Sequence, residues 1–143
     1  MIVLDTNVLS ELMRAAPSPR VLTWVNARPA AQLYTTSVTE AEIRLGIATL
    51  SAGKRRAALA AAADAMFESE LAGRVLPFGR EASHVHAEIV ASRRRAGRPI
   101  SSFDAQIAAI ARAADAQLAT RNVTDFDGCA LVVVDPWSPA RRA

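Results

Sequence analysis

The chain alternates between short apolar runs and longer stretches in which apolar residues recur at helical spacing. The first run is Ile2-Val3-Leu4, and its lack of polar alternation is typical of a strand buried on both faces of a parallel sheet. Further apolar runs predict four more strands, at residues 33–36, 75–78, 117–120 and 131–134. The stretches between them predict helices at 7–14, 20–27, 38–50, 54–71, 80–96 and 102–116.

This alternation predicts the overall architecture. Strands that alternate with helices favour an α/β fold with a parallel sheet and right-handed crossovers. The 143 residues are enough to bury a substantial core, and 51% of them are hydrophobic. Because no internal repeat, linker or second pattern interrupts the chain, we expect residues 1–143 to form one domain.

Composition narrows the class of protein. The single cysteine, Cys129, cannot form an intramolecular disulfide or a cysteine-based metal site, which is compatible with a reducing cytosol. The N-terminus has no signal-peptide pattern, and no apolar run is long enough to span a bilayer, so we expect a cytoplasmic protein without membrane attachment. Arginine supplies all the basic residues except Lys54, and a net charge of +3 permits a nucleic-acid partner without requiring one.

Acidic residues lie at four places where a predicted strand ends or a predicted helix begins. They are Asp5, Glu40 with Glu42, Asp104, and Asp125 with Asp127. In open α/β sheets, ligands bind at the carboxyl ends of the strands, so all four places can face one crevice.

Each acid taken singly also has a purely structural interpretation. Asp5 could cap the following helix, Ser37-Val38-Thr39-Glu40 fits a capping box, and Asp104 in a first helical turn suits the helix dipole. Taken together, the acids favour a ligand, because two carboxylates about 4 Å apart repel by roughly 4 kcal/mol at an effective dielectric constant near 20. Oxygen ligands suit Mg²⁺ or Mn²⁺, and these ions assist displacement at phosphodiesters. The acids therefore predict a metal-dependent nuclease.

Five motifs around these acids resemble those of the PIN-domain family, and within it the toxins of the VapC and FitB type. They are IVLDTN at 2–7, TSVTEAEIRLG at 36–46, PISSFDAQIAA at 99–109, LATRN at 118–122 and DPW at 135–137. The resemblance covers nearly the whole chain. It implies a three-layer α/β/α fold with a five-stranded parallel sheet, and a Mg²⁺- or Mn²⁺-dependent endoribonuclease.

The same resemblance, carried over position by position, implies that Asp5, Glu42 and Asp104 are the metal-binding catalytic acids. Many relatives have a fourth acid directly after Thr-Arg, where this chain has Asn122. Asp125 is then the candidate fourth acid, and whether Asp125 or Asn122 completes the site, and whether one or two ions bind, stays open. Residues expected beside the acids or near the substrate are Thr6, Asn7, Glu40, Thr120 and Asn122.

The resemblance also implies partners. It predicts the toxin of a bacterial toxin–antitoxin pair, acting on RNA as a homodimer, with any DNA binding carried by the antitoxin. A PIN nuclease of RNA processing without an antitoxin, and a catalytically weak PIN binding module, are the alternatives. The apolar stripe of Val21, Leu22 and Val25 and the helix at 54–71 could form a groove for the antitoxin, or could simply pack in the core.

Other side chains have weaker interpretations. His84 and His86 are two residues apart on a predicted helix and so do not share a face as a zinc pair would. Cys129 is expected to contribute packing, since no motif ties it to a histidine. The arginines at 93–95 either suit the dipole at a helix C-terminus or contact phosphate. The sequence has no Gly-Lys-Ser or Gly-Lys-Thr loop, which argues against an ATPase. It also has no Gly-x-Ser-x-Gly motif, which argues against a serine nucleophile of that type.

Overall fold

The structure, a computed structural model, describes residues 1–138. The strands are β1 (Ile2–Leu4), β2 (Leu33–Thr36), β3 (Val75–Leu76), β4 (Gln117–Ala119) and β5 (Val133–Val134). They form one parallel sheet in the order β3-β2-β1-β4-β5. The central strand β1 aligns Ile2 with Leu33 of β2 on one side and with Gln117 of β4 on the other. The predicted five-stranded parallel sheet is confirmed.

Within residues 1–138, six α-helices connect or flank the strands. They are α1 (Thr6–Leu12), α2 (Pro19–Asn26), α3 (Ser37–Ala48), α4 (Lys54–Asp64), α5 (Arg80–Arg95) and α6 (Ser102–Ala113). Short 3-10 turns cover Ala30–Gln32 and Val123–Phe126. Within residues 1–138, no helix combines the length and the apolar character needed to cross a membrane.

The two faces of the sheet support separate halves of the core. Val3 in β1 packs on one face, in a cluster with Ile89 of α5 and Ile107 of α6. Its neighbours Ile2 and Leu4 pack on the other face, with side chains from α1, α2 and α3. This alternation along β1 explains why its sequence is wholly apolar, because both of its faces are covered by helices. The expected three-layer α/β/α arrangement is confirmed.

Some predicted boundaries differ from the observed ones. The helix predicted at 54–71 is α4 followed by a π-helical segment, Ala65–Glu70. The strand predicted at 75–78 has only two residues, because Pro77 has no N–H to continue the ladder. The strand predicted at 131–134 is likewise shortened to Val133–Val134.

Candidate active site

A cleft of about 660 Å³ lies where β1 and β4 end and where α1, α3 and α6 begin. Three of the predicted acids line it, namely Asp5, Glu42 and Asp104. The topology explains this convergence, since β1 and β4 are adjacent parallel strands whose carboxyl ends meet at one edge of the sheet.

Asp5 is buried and is fixed by several donors. Its Oδ1 accepts a hydrogen bond from the backbone N–H of Thr6 at 2.8 Å, so it also caps α1. Its Oδ2 accepts a 2.7 Å bond from the Thr120 hydroxyl and a longer one, at 3.5 Å, from the Asn7 amide. Burial raises the pKa of Asp5, these hydrogen bonds partly oppose the rise, and the charges of Asp104 and Asp125 add to it.

Glu42 lies in the second turn of α3 and is half-buried. Its Oε1 accepts a hydrogen bond from the Thr6 hydroxyl at 3.2 Å, so Thr6 links Glu42 to the loop that carries Asp5. Burial raises the pKa of Glu42, and the negative charges of Asp5 and Asp104 raise it further. The helix is capped by Thr36, whose hydroxyl accepts from the N–H of Thr39 at 3.0 Å, and not by the predicted Ser37.

Asp104 lies in the first turn of α6, which Ser101 caps by accepting the Asp104 N–H at 3.2 Å. The side chain is half-buried. Burial raises the pKa of Asp104, the charge of Asp125 raises it further, and Arg93 opposes the rise. Asp104 thus lies in a first helical turn, where the dipole favours an acid, and is also repelled by the charge of Asp125.

Only some of the remaining predicted residues lie in or beside the cleft. Thr6, Asn7 and Asn122 line the cleft, and the buried Thr120 hydroxyl lies behind it as a donor to Asp5 and an acceptor from the Asn7 amide at 3.1 Å. Asp125 does not line the cleft; it is exposed on a 3-10 turn and acts on the other acids only through its charge. Its role as a fourth acid stays a prediction.

Glu40 lies outside the cleft, contrary to its predicted place beside the site. Its carboxylate pairs with Arg44 at 2.7 Å, and Arg44 also pairs with Asp64 of α4 at 2.9 Å. Residues two apart on a helix differ by about 200° in direction, so Glu40 and Glu42 point to different sides of α3.

Four charged residues of the cleft were missed by the sequence analysis. They are Glu11, Arg14, Arg55 and Arg121. Glu11 is only 7% exposed and accepts hydrogen bonds from Arg14 Nη1 at 3.1 Å and from the Ser18 N–H at 3.3 Å. Helical spacing could have revealed part of this set, because Asn7 and Glu11 are four residues apart on one face of α1, and Arg14 follows just after the helix ends at Leu12.

The arginines at 93–95 lie in the last turn of α5, where cations suit the helix dipole, and Arg93 has a further role that was not predicted. It is buried, and its guanidinium donates to the backbone carbonyls of Asp125, Asp127 and Arg98 at 2.9, 2.8 and 2.6 Å. It therefore anchors the loop that carries Asp125. Cys129 beside it is buried with a raised pKa caused by burial, which agrees with a packing role.

The donor set fits a hard divalent cation that retains water. Within residues 1–138, no three acidic, histidine or cysteine side chains lie close enough to form a closed metal cage. Magnesium, however, usually binds through one or two carboxylates and keeps several waters, which an open cleft permits. The acids around this cleft offer only oxygen ligands, and their mutual repulsion is a second reason to expect a cation.

Comparisons with known proteins agree with this geometry. The family model of the PIN domain matches residues 2–127. The chain is 42% identical over 140 residues to the VapC ribonuclease Y4jK of Sinorhizobium fredii, covering 98% of this chain and all of that protein. It is 35% identical over 137 residues to the toxin FitB of Neisseria gonorrhoeae, covering 96% of this chain and 99% of that protein.

A solved structure also matches the architecture. The fold superposes on a chain of the FitAB complex bound to the IR36 DNA fragment with a TM-score of 0.93 and 34% sequence identity. The match covers 100% of both chains. The likeness thus includes the elements that carry Asp5, Glu42 and Asp104.

Proposed function

Since the chain belongs to the PIN-domain family, we propose that it is a Mg²⁺- or Mn²⁺-dependent endoribonuclease and the toxin of a bacterial toxin–antitoxin pair. The match at residues 2–127 confirms the family predicted from the motifs. Relatives named as a ribonuclease and as a toxin, aligned over nearly their full length, support the activity and the role. We propose further that residues 1–143 form one domain and that the protein acts in the cytoplasm.

One observation carries the proposal. Asp5, Glu42 and Asp104 converge on one cleft, and none of them forms an ion pair with a described residue. Their pKa values are all raised, first by burial and then by neighbouring acids. Three unpaired acids held together against repulsion cost stability, and a bound cation offsets that cost.

The residues of this chain have separable roles in such a reaction. Asp5, Glu42 and Asp104 are the residues that would hold a divalent cation, one or two of them as direct ligands and the rest through its water shell. Such an ion would supply an activated water and neutralise charge on the scissile phosphate. Thr6 donates its N–H to Asp5 and its hydroxyl to Glu42, which fixes the spacing of the two carboxylates. Thr120 and Asn7 hold the second oxygen of Asp5.

Basic residues at the same cleft supply positive charge for the substrate. Arg14, Arg55 and Arg121 line its walls together with the acids. Guanidinium groups suit phosphate through paired N–H donors, so they can bind the RNA backbone while the carboxylates face the reacting phosphate.

The activity is tested with purified protein free of any antitoxin. A pool of cellular RNAs is incubated with Mg²⁺ or Mn²⁺, with EDTA, and with the Asp104→Asn variant. We expect cleavage at discrete sites that both EDTA and Asp104→Asn abolish. Cleavage that survives Asp104→Asn would refute the assigned site, and a folded protein that cleaves no RNA would favour the binding-module alternative.

A second groove supports the antitoxin part of the proposal. It has a volume of about 360 Å³, lies between α1, α3 and α4, and carries apolar side chains of Met13, Ile47 and Leu59. Thr6, Ser10, Glu42 and Arg55 line both this groove and the cleft. An amphipathic antitoxin segment in the groove would therefore lie beside the acids. By contrast, Val21 of the predicted stripe is fully buried in the core.

The antitoxin proposal is tested by co-expression with the product of the adjacent gene. We expect the two proteins to co-purify and the complex to lose ribonuclease activity. Substitution of Leu59 by Glu should weaken the complex, because a charge would enter an apolar groove. An unchanged complex would place the antitoxin elsewhere. The homodimer remains part of the proposal and is measured by sedimentation of the free protein.

A further inference from the structure

Among residues 1–138, Trp137 is the one aromatic residue that lines the acidic cleft. It is half-buried, and part of it packs against the core cluster beneath α1 and α2. Two bonds fix its backbone: its N–H donates to Asp135 Oδ1 at 2.8 Å, and its carbonyl accepts from Arg20 Nη1 at 3.2 Å. The indole is thus held at the wall of the cleft by the fold itself.

Two arginine–tryptophan pairs within residues 1–138 differ in the distance between guanidinium and ring and in the hydrogen bonds of the guanidinium. The Arg28 guanidinium lies 3.7 Å from the Trp24 ring centroid and donates to the Trp24 carbonyl at 2.6 Å. The Arg121 guanidinium lies 5.1 Å from the Trp137 centroid, and it makes no hydrogen bond or ion pair with a residue in 1–138. Arg121 is therefore a loosely held cation beside an aromatic ring.

The pair of Arg121 and Trp137 is connected to Asp5 through the backbone of Arg121. The N–H of Arg121 donates to Asn7 Oδ1 at 3.2 Å. The Asn7 amide donates to Thr120, and the Thr120 hydroxyl donates to Asp5 at 2.7 Å. The main chain of Arg121 is consequently fixed relative to Asp5, whereas its side chain stays exposed.

Building on the proposed nuclease function, we propose that Arg121 and Trp137 form a nucleotide subsite next to the reacting phosphate. A base of the RNA stacks on the Trp137 indole, and the Arg121 guanidinium moves off the ring to bind the adjoining phosphate. Aromatic rings that stack single-stranded bases are tolerant of sequence, while arginine adds charge and paired donors. The subsite would thus fix the register of single-stranded RNA across the acids.

Tryptophan fluorescence tests the stacking directly, because the chain has only two tryptophans. Trp24→Phe leaves Trp137 as the sole emitter, and Trp137→Phe leaves Trp24 as the matched control. Both are prepared with Asp104→Asn, so that RNA is not cleaved, and titrated in Mg²⁺ with a short oligoadenylate. The same titration is repeated with an abasic ribose-phosphate chain of equal length, and binding is followed independently by fluorescence anisotropy of a labelled oligomer.

We expect oligoadenylate to quench Trp137 strongly, the abasic chain to quench it weakly, and Trp24 to respond to neither. Four results would each overturn the subsite. They are equal quenching by the two chains, quenching of Trp24 alone, binding of oligoadenylate without quenching, and no binding of oligoadenylate.

Kinetics separate this inference from the proposed function. With cleavable RNA, Trp137→Ala and Arg121→Ala should raise KM about 10-fold while kcat changes less, since the loss of one base stack weakens binding. Trp137→Phe should retain most of the affinity, and Arg28→Ala should leave both constants unchanged. Unchanged KM in Trp137→Ala would overturn the subsite even if RNA is cleaved, whereas quenching without cleavage would overturn the nuclease and leave the subsite intact.

Discussion

Glu40 and Glu42 lie two residues apart on α3, yet their electrostatic surroundings are opposite. Glu40 pairs with Arg44 at 2.7 Å, and that guanidinium also pairs with Asp64 and lies over the Phe67 ring. Glu42 instead faces Asp5 and Asp104 and accepts a single bond from the Thr6 hydroxyl. One helix thus presents a neutralised acid on one side and an acid with unpaired charge on another.

The difference shows how a carboxylate with a structural role can be distinguished from one that is available to bind a ligand. Arg44 satisfies the charge of Glu40, and exposed pairs of this kind contribute little to stability. Nothing within residues 1–138 provides a cation directly at Glu42, so its negative charge is available to a ligand. The predictions below use this contrast and run from the largest expected effect to the smallest.

Glu42→Gln should lower kcat/KM for RNA cleavage by roughly 10²–10³-fold, comparable to the loss of one preorganised catalytic group. The amide keeps the shape of the side chain but removes the charge that would hold the cation. Single-turnover cleavage of a mapped RNA site measures the loss. Glu40→Gln is the matched control, and we expect its rate to stay within 2-fold of the wild type. Equal losses in the two variants would abolish the distinction between the two acids.

Arg93→Ala should destabilise the fold by about 3 kcal/mol, because three backbone carbonyls would lose a charged donor in a buried site. Urea denaturation followed by circular dichroism measures the change. Arg94→Ala, at an exposed neighbouring position, is the control and should change stability by less than about 0.5 kcal/mol. A small effect of Arg93→Ala would mean that the loop carrying Asp125 is held by other contacts.

Asp104→Asn should stabilise the metal-free protein at neutral pH, raising Tm by a few degrees, which corresponds to about 1 kcal/mol. The pKa of Asp104 is raised on folding, so the folded state binds this proton more tightly than the unfolded state. Stability of the wild type therefore falls as pH rises from 3.8, the ordinary pKa of an aspartate, through the raised pKa of Asp104, and the variant lacks this loss.

Calorimetry at several pH values in EDTA measures the difference in Tm between the wild type and Asp104→Asn. The difference in Tm should shrink below about pH 4, and Mg²⁺ should stabilise the wild type more than the variant. A variant that is less stable than the wild type at neutral pH without metal would contradict repulsion among the acids.

Glu40→Gln should cost less than about 1 kcal/mol, since Arg44 keeps its bond to Asp64 and the pair is partly solvent-exposed. Thermal unfolding at low and high salt measures the change, and the difference should narrow as salt screens the pair. A cost of several kcal/mol would show that the Arg44 cluster is a main support of the contact between α3 and α4.

Much of the fold could be predicted because its signals are local. The wholly apolar Ile2-Val3-Leu4 run indicates a strand with both faces covered, and adjacent parallel strands bring Asp5 to the edge that α6 approaches with Asp104. The π-helical segment Ala65–Glu70 was not predictable, since its residues include no glycine or proline that would interrupt the helical pattern before it.

The site was predictable only in part, for a physical reason. Sequence position identifies an acid near a strand end but not its partner. The family resemblance separated Glu42 from Glu40, but the pairing of Glu40 with Arg44 is visible only in the structure. Arg93 is similar, because its partners are carbonyls more than 30 residues ahead, at Asp125 and Asp127. Such long-range pairings follow from the folded arrangement and leave no periodic pattern.

The central claim, that unpaired carboxylates converge to bind a divalent cation, is tested most directly by titrating Mn²⁺ into the purified protein and measuring free Mn²⁺ by electron paramagnetic resonance. We expect saturable binding to the wild type and to Glu40→Gln, and at least 10-fold weaker binding to Glu42→Gln and Asp104→Asn. Equal affinity in all four proteins, or no binding to the wild type, would contradict the account.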